Sequence, residues 1–154
     1  MQVLNFKTGI TFGSNGNLRE FSPAGFSSNP DEVSTWSEAP VAELIFRLPP
    51  LRHDLQLIVE VFPFLGDGRI QQQVCWVYFN GLFVHFEMIR APVEMNFTMS
   101  RDLLNPRANR LSFVLPNAAS PRELDMGDDL RQLGLSFVRL GAGPPGSGIP
   151  TSGF

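Results

Sequence analysis

Apolar and polar residues alternate along most of this chain with a period of two, which is typical of half-buried β-strands. The pattern is clearest from Asp54 to Met88, where it predicts three consecutive strands arranged as a meander. Inside this stretch, the dipeptide Asn80-Gly81 separates two apolar runs. Asn-Gly in that position predicts a tight hairpin, because both residues tolerate positive φ. The best-specified part of the chain is therefore an antiparallel β core.

Similar alternation predicts further strands on both sides of this core. The runs are Gln2 to Phe6, Val41 to Leu48, Val93 to Met99, Arg110 to Leu115 and Gly134 to Leu140. A single helical turn is predicted after Ser100, whose hydroxyl suits the N-cap position. About eight short strands at this spacing are typical of a β-sandwich or jelly roll. The predicted fold is an all-β, antiparallel, jelly-roll-like sandwich with minimal helix.

Length and composition predict one domain over residues 1–140. A chain of 154 residues buries about 70% of its unfolded surface in a single core, so it needs no disulfide or metal for stability. From residue 141 to residue 154 the composition changes, because eight of these fourteen residues are Gly or Pro. Such a segment offers little to bury, which predicts a flexible tail or the start of a linker.

The composition favours a core rich in phenyl rings and argues against nucleic acid as a partner. The chain has 14 Phe and one Tyr, and most of these rings are expected to fill the core because Phe carries no polar group. The formal net charge is −3 and no basic cluster occurs, which argues against nucleic-acid binding. The single cysteine, Cys75, excludes an internal disulfide and is expected to be a buried, inert thiol.

The sequence also bears on location. No apolar stretch reaches the ~18 residues of a transmembrane helix. The N-terminus lacks the basic and apolar regions of a secretory signal. We therefore expect a protein that does not span the membrane and lies in the cytoplasm, unless the chain was cut from a larger protein.

Residue types that carry catalysis are sparse. The two histidines, His53 and His85, come without a Gly-x-Ser-x-Gly nucleophile motif, so structural or surface roles are favoured for both. Asp125, Asp128 and Asp129 indicate a calcium site only weakly; a solvated loop in which Asp129 caps a turn over residues 130–133 is favoured. We expect no catalytic residue, no metal and no cofactor. A small esterase is the least favoured alternative.

Two sets of aromatic residues are candidates for ligand binding. Trp36 and Glu32 lie in a loop rich in turn residues, where an exposed indole would stack on sugar C–H groups while the carboxylate accepts hydroxyl protons. The alternative is that Trp36 closes one end of the sandwich and Glu32 satisfies its indole N–H. Trp76 and Tyr78 share one face of a predicted strand. They would form an aromatic platform if that face were open, although a buried face is favoured for so apolar a run.

Several short motifs are distributed along residues 1–140. They are Gly25-Phe26-Ser27, Glu32, Trp36-Ser37, Arg47-Leu48-Pro49, Val61-Phe62-Pro63-Phe64, Asn80-Gly81, Ser120-Pro121-Arg122-Glu123-Leu124 and Asp129-Leu130-Arg131-Gln132-Leu133-Gly134-Leu135. As a set they resemble bacterial β-sandwich modules that are similar to carbohydrate-binding jelly rolls. Such modules occur beside membrane glycosyltransferases and polysaccharide-assembly proteins.

The resemblance implies a non-catalytic carbohydrate-binding domain that acts in bacterial glycan or exopolysaccharide biosynthesis. It marks Phe26, Glu32 and Trp36 as the carbohydrate-binding residues, and it implies a glycan or a glycan-assembly protein as the partner. The alternative is an interaction domain that recruits a protein, or a second copy of itself, through an exposed strand edge or an aromatic face.

Overall fold

The structure is a computed structural model that describes residues 1–152. Within this range the chain is built from β-strands and short 3-10 helices. The strands are Ile10–Thr11 (β1), Thr35–Trp36 (β2), Val41–Phe46 (β3), Leu55–Pro63 (β4), Gln73–Phe79 (β5), Leu82–Ile89 (β6), Val93–Met99 (β7), Asn109–Val114 (β8) and Leu135–Gly143 (β9). The 3-10 helices are Leu18–Phe21, Gly66–Gly68 and Arg101–Leu103.

The strands form two antiparallel sheets. The back sheet has the order β1-β9-β4-β7, with β2 also paired to β9, and the front sheet has the order β3-β8-β5-β6. From β2 to β9, the chain changes sheet at every connection except the hairpin between β5 and β6. Strands that alternate between two sheets in this way make a jelly roll. The predicted all-β, antiparallel sandwich is confirmed.

The predicted meander from Asp54 to Met88 is wrong in one respect. β4 lies in the back sheet between β9 and β7, whereas β5 and β6 lie in the front sheet. The 3-10 helix Gly66–Gly68 falls in the connection that carries the chain from one sheet to the other. Because both edges of β4 already have partners, β5 has no edge of β4 to pair with.

Two local predictions are confirmed and one is not. The hairpin turns at Asn80-Gly81, where φ is 52° and 82°. The Ser100 hydroxyl caps the turn Arg101–Leu103 by accepting the Asp102 N–H at 3.2 Å. The predicted first strand is reduced to one parallel bridge between Val3 and Arg47.

The core between the sheets is filled largely by phenyl rings. Phe12, Phe26 and Phe113 surround Phe137 with ring centroids 5.4, 5.2 and 5.0 Å away. Each fully buried ring of this kind contributes roughly 1.5–3 kcal/mol to folding. Cys75 lies in the same core and is fully buried, which confirms the prediction.

The last strand extends beyond the predicted domain boundary at residue 140. Residues 141–143 continue β9 by pairing with Gln56, Leu57 and Ile58 of β4. The chain then returns along β4, where the Ser152 N–H donates to Glu60 Oε1 at 2.7 Å. The predicted flexibility of the tail stays a prediction, and its last two residues, 153 and 154, lie outside the described residues. No helix within residues 1–152 is long and apolar enough to cross a membrane.

Candidate functional site

The outer face of the front sheet carries a cluster of exposed and half-buried aromatic side chains, which we call the aromatic shelf: Trp76 and Tyr78 on β5, Phe83 and Phe86 on β6. Trp76, Phe83 and Phe86 are 39%, 53% and 41% exposed. The Trp76 ring lies 4.8 Å from Phe86 and 5.5 Å from Phe83, and Tyr78 lies 5.9 Å from Phe83. The four rings therefore form one continuous apolar surface in contact with solvent.

The sequence favoured a buried position for this face, and that interpretation is wrong. Inward residues of β5 such as Cys75 and Val77 are fully buried, but Trp76 between them is not. The Trp76 ring packs against the rings of Phe83 and Phe86, which also belong to the shelf. The strand is apolar on both faces because one face packs in the core and the other builds the shelf.

A β-bulge places both phenylalanines of β6 on the shelf. Val77 pairs with His85, but the next residue of β5, Tyr78, pairs with Phe83, so Val84 is an extra residue on β6. A bulge of this kind changes which residues share a face. In a regular strand, His85 would lie on the same face as Phe83. In the structure His85 instead stacks on Phe97 of β7, with ring centroids 4.9 Å apart.

A polar cleft adjoins the shelf on the same outer face. Its volume is about 550 Å³, and it is lined by Val41, Glu43, Tyr78, Asn80, Gly81, Arg110, Ser112 and Val114. Glu43 Oε2 accepts a hydrogen bond from the Ser112 hydroxyl at 2.7 Å. Arg110 Nε lies 4.0 Å from the same oxygen, and both side chains are partly exposed. Such an exposed pair contributes little to stability, which leaves these groups available to a ligand.

Asn80 has a structural role in this cleft. Its Oδ1 accepts the Arg110 N–H at 2.8 Å, and its Nδ2 donates to the Leu103 carbonyl and to Asn109 Oδ1 at 2.9 and 3.0 Å. These bonds fasten the β5–β6 hairpin to the start of β8. The turn therefore fixes the position of the cleft, and the Asn80 side chain already has hydrogen-bond partners within the protein.

The three residues predicted from the sequence to bind carbohydrate do not form one surface. Phe26 is 9% exposed and packs in the core against Phe12 and Phe137. Trp36 is half-buried on β2, and its ring meets that of Phe64 edge to face with the ring centroids 5.9 Å apart. Glu32 is exposed and lines a separate cleft. No ring contact or hydrogen bond described for these residues joins their side chains.

Residues from two distant motifs of the sequence meet beside the loop that precedes β2. Arg131 donates to the Asp129 carboxylate from its backbone N–H, its Nε and its Nη2, the shortest of these hydrogen bonds being 2.7 Å. Its Nη1 donates to Ser27 Oγ at 3.2 Å. The hydrogen bonds from Arg131 lower the pKa of Asp129. The predicted turn over residues 130–133 is absent, although Asp129 Oδ1 does accept the Arg131 backbone N–H at 3.0 Å, as a capping carboxylate would. These motif residues thus fix the fold of the loop.

The two histidines and the cysteine do not line the shelf or the cleft. His85 Nε2 lies 2.7 Å from Glu87 Oε1, and Glu87 faces Cys75 across the strand pair. Burial, followed by the charge of Glu87, raises the pKa of the Cys75 thiol, so this thiol is not an activated nucleophile. His53 is exposed in the turn before β4. Within the described residues, no three His, Cys, Asp or Glu side chains are placed to hold a metal ion.

No protein-family model and no curated protein matches the chain. Among solved structures, the chain is similar to the CBM51 module of GH95 from Clostridium perfringens in complex with methyl-galactose. The identity is 17%, the TM-score is 0.39, and the match covers 86% of this chain and 79% of that one.

Two further solved structures are similar over most of the chain. The acetyl xylan esterase Est2A from Butyrivibrio proteoclasticus shows 15% identity and a TM-score of 0.36, with 89% of this chain and 29% of that one covered. A catalytic domain with two CBM51 domains from Clostridium perfringens ZmpB shows 10% identity and a TM-score of 0.35, with 86% and 12% covered. The chain therefore spans less than a third of either protein, and likeness at this level carries no inference about function.

Proposed function

We propose that this domain binds glycans on the outer face of the front sheet and performs no chemistry itself. The observation that carries the proposal is the continuity of the aromatic shelf with the polar cleft, which share Tyr78. A sugar ring has an apolar C–H face and a rim of hydroxyl groups. A surface that combines exposed rings with hydrogen-bonding side chains matches both parts at once.

The exposure of the shelf supports this function over a purely structural role. Large apolar side chains gathered on one solvent-exposed face mark an interaction site in a folded protein. Rings such as Trp76 and Phe86 lose few rotamers on binding, so they serve well as rigid contact surfaces. Their removal should therefore affect binding more than folding.

The direct test is glycan binding by Phe86→Ala and Trp76→Ala, with Phe62→Ala as the matched control. Phe62 lies on β4 of the back sheet and is 40% exposed, against 41% for Phe86. On an array of neutral and acidic oligosaccharides, we expect each shelf variant to bind about tenfold or more weakly, because truncating a central aromatic anchor costs ~2 kcal/mol. The control should bind as wild type does. Equal binding by all variants, or no glycan binding by the wild type, would contradict the proposal.

The biological setting is a second part of the proposal. The sequence motifs support a role in bacterial glycan or exopolysaccharide biosynthesis, with a glycan or a glycan-assembly protein as the partner. The cytoplasm is the proposed location. Glu32 and the half-buried Trp36 remain second candidate contacts for the same class of ligand, each at its own place on the surface, whereas Phe26 packs in the core. The cleft beside Glu32 has a volume of about 370 Å³ and also contains Arg139.

A second candidate function is the assembly of proteins through the same face. β6 is the terminal strand of the front sheet, and its Leu82 and Met88 are 52% and 48% exposed beside the shelf. Exposed apolar edge strands are sites where another chain can pair. If the shelf serves this function, the wild type should form dimers that Phe86→Ala dissociates in light scattering, without any glycan binding.

A further inference from the structure

We propose that the polar cleft selects neutral, hydroxyl-rich sugars over acidic ones through Glu43, and that the bound oligosaccharide lies across the strands of the front sheet. This inference rests on the proposed function and specifies its ligand class. In this arrangement the shelf and the cleft bind successive sugars of one oligosaccharide.

The direction of the ligand follows from two rows of side chains that cross the sheet. One row runs Phe83, Tyr78, Ser112 and Glu43, from β6 to β3. The parallel row runs Phe86, Trp76, Val114 and Val41. The first row changes from aromatic to polar along its length, whereas the second is apolar throughout. A ligand aligned with the rows meets stacking surfaces at β6 and hydrogen-bonding groups at β3.

The length of the rows favours an oligosaccharide over a single sugar. Four adjacent strands span three gaps of about 4.8 Å each, or roughly 14 Å between the outer strands. One sugar ring on the shelf would leave the cleft at β3 and β8 empty. A chain of several sugars reaches both.

The selectivity follows from the hydrogen-bonding groups that the cleft presents. Glu43 Oε2 is engaged with Ser112, whereas Oε1 has no hydrogen-bond partner described within residues 1–152. A carboxylate accepts hydrogen bonds and does not donate them, so Oε1 suits the hydroxyl protons of a neutral sugar. A sugar carboxylate at the same place would face a like charge, which disfavours binding. Arg110 offsets this repulsion weakly, because its side chain is 60% exposed and 4.0 Å from Glu43.

The test compares Glu43→Gln with wild type, using cellotriose, mannotriose and galactotriose as neutral probes and triglucuronate and trigalacturonate as acidic probes. The wild type should bind a neutral trisaccharide about tenfold more tightly than its monosaccharide and its uronate. Glu43→Gln should reduce the preference for neutral over acidic sugars about fivefold or more, because the like charge is removed. The control is Glu94→Gln, which changes an exposed side chain on β7 of the back sheet and should leave the preference for neutral over acidic sugars unchanged.

The outcomes separate this inference from the proposed function. If Phe86→Ala weakens binding but Glu43→Gln leaves the preference intact, the shelf binds glycans and the role of Glu43 is wrong. Tighter binding of uronates by the wild type would also overturn the selectivity. Equal affinity for monosaccharide and trisaccharide would overturn the orientation across the strands. If no probe binds, both proposals fall.

Discussion

One residue, Val84, changes what the front sheet presents to solvent. Without the bulge at this residue, strict alternation along β6 would place Phe83 and His85 on one face. The bulge at Val84 brings Phe83 and Phe86 to the outer face and turns His85 toward Phe97. A period of two fixes the face of each residue only while the register is regular. The shelf could therefore not be derived from alternation alone.

Cys75 provides a prediction about the dependence of stability on pH. Burial, with the charge of Glu87 second, raises the pKa of its thiol above the ordinary value of 9.0. The folded state then holds this proton more tightly than the unfolded state does. The stability that the neutral thiol contributes is therefore full below pH 9.0 and decreases as the pH rises above that value.

The measurement is urea unfolding of wild type and Cys75→Val at about pH 8 and about pH 10, two values on either side of the ordinary pKa. We expect the wild type to lose about 1 kcal/mol more unfolding free energy than the variant between these two pH values. Equal losses of unfolding free energy in the two proteins would show that the thiol ionises as readily in the folded chain as in the unfolded chain.

At the scale of elements, the hairpin at Asn80-Gly81 both turns the chain and anchors it. The sequence predicted the turn from its tolerance of positive φ. It gave no sign that the Asn80 side chain also binds the backbone of Leu103 and Arg110. These partners lie more than twenty residues away, and a local pattern carries no information about them.

Replacing Asn80 with Ala should destabilise the protein by about 2 kcal/mol or more, because three hydrogen bonds are lost at about 1 kcal/mol each and the positive φ becomes strained. Asn80→Gly removes the same hydrogen bonds but accepts the φ of 52°, so it should cost less. Chemical denaturation of wild type and both variants measures whether the stability loss is larger for Asn80→Ala than for Asn80→Gly. A change below about 0.5 kcal/mol in Asn80→Ala would show that the anchor contributes nothing beyond an ordinary surface side chain.

The bounds of several strands could be predicted closely from the alternation. β3, β7 and β8 fall within two residues of their predicted bounds. The pairing of strands was harder to predict, because β4 and β5 follow one another in sequence but belong to opposite sheets. Alternation tells which residues face inward and says nothing about which sheet a strand joins.

At the scale of the whole molecule, the two sheets present different surfaces. The back sheet holds the C-terminal segment against Gln56 and Glu60, through hydrogen bonds from Gly146 and Ser152. The front sheet exposes the aromatic shelf. The sequence could predict the two-sheet fold and its phenyl core, but exposure depends on how distant segments pack. That is why Trp36 was favoured from the sequence as a ligand contact and Trp76 as a core residue.

The most direct test of the shelf as the glycan site uses the only two tryptophans of the chain. Trp36 lies on the back sheet and Trp76 on the front sheet, so each indole N–H reports on one candidate site. The two signals can be assigned in a ¹⁵N–¹H spectrum with a Trp36→Phe variant and followed during titration with the neutral trisaccharides. We expect the Trp76 signal to shift and saturate while the Trp36 signal stays in place. A shift of Trp36 alone, or of neither signal, would contradict the assignment of the shelf as the glycan site.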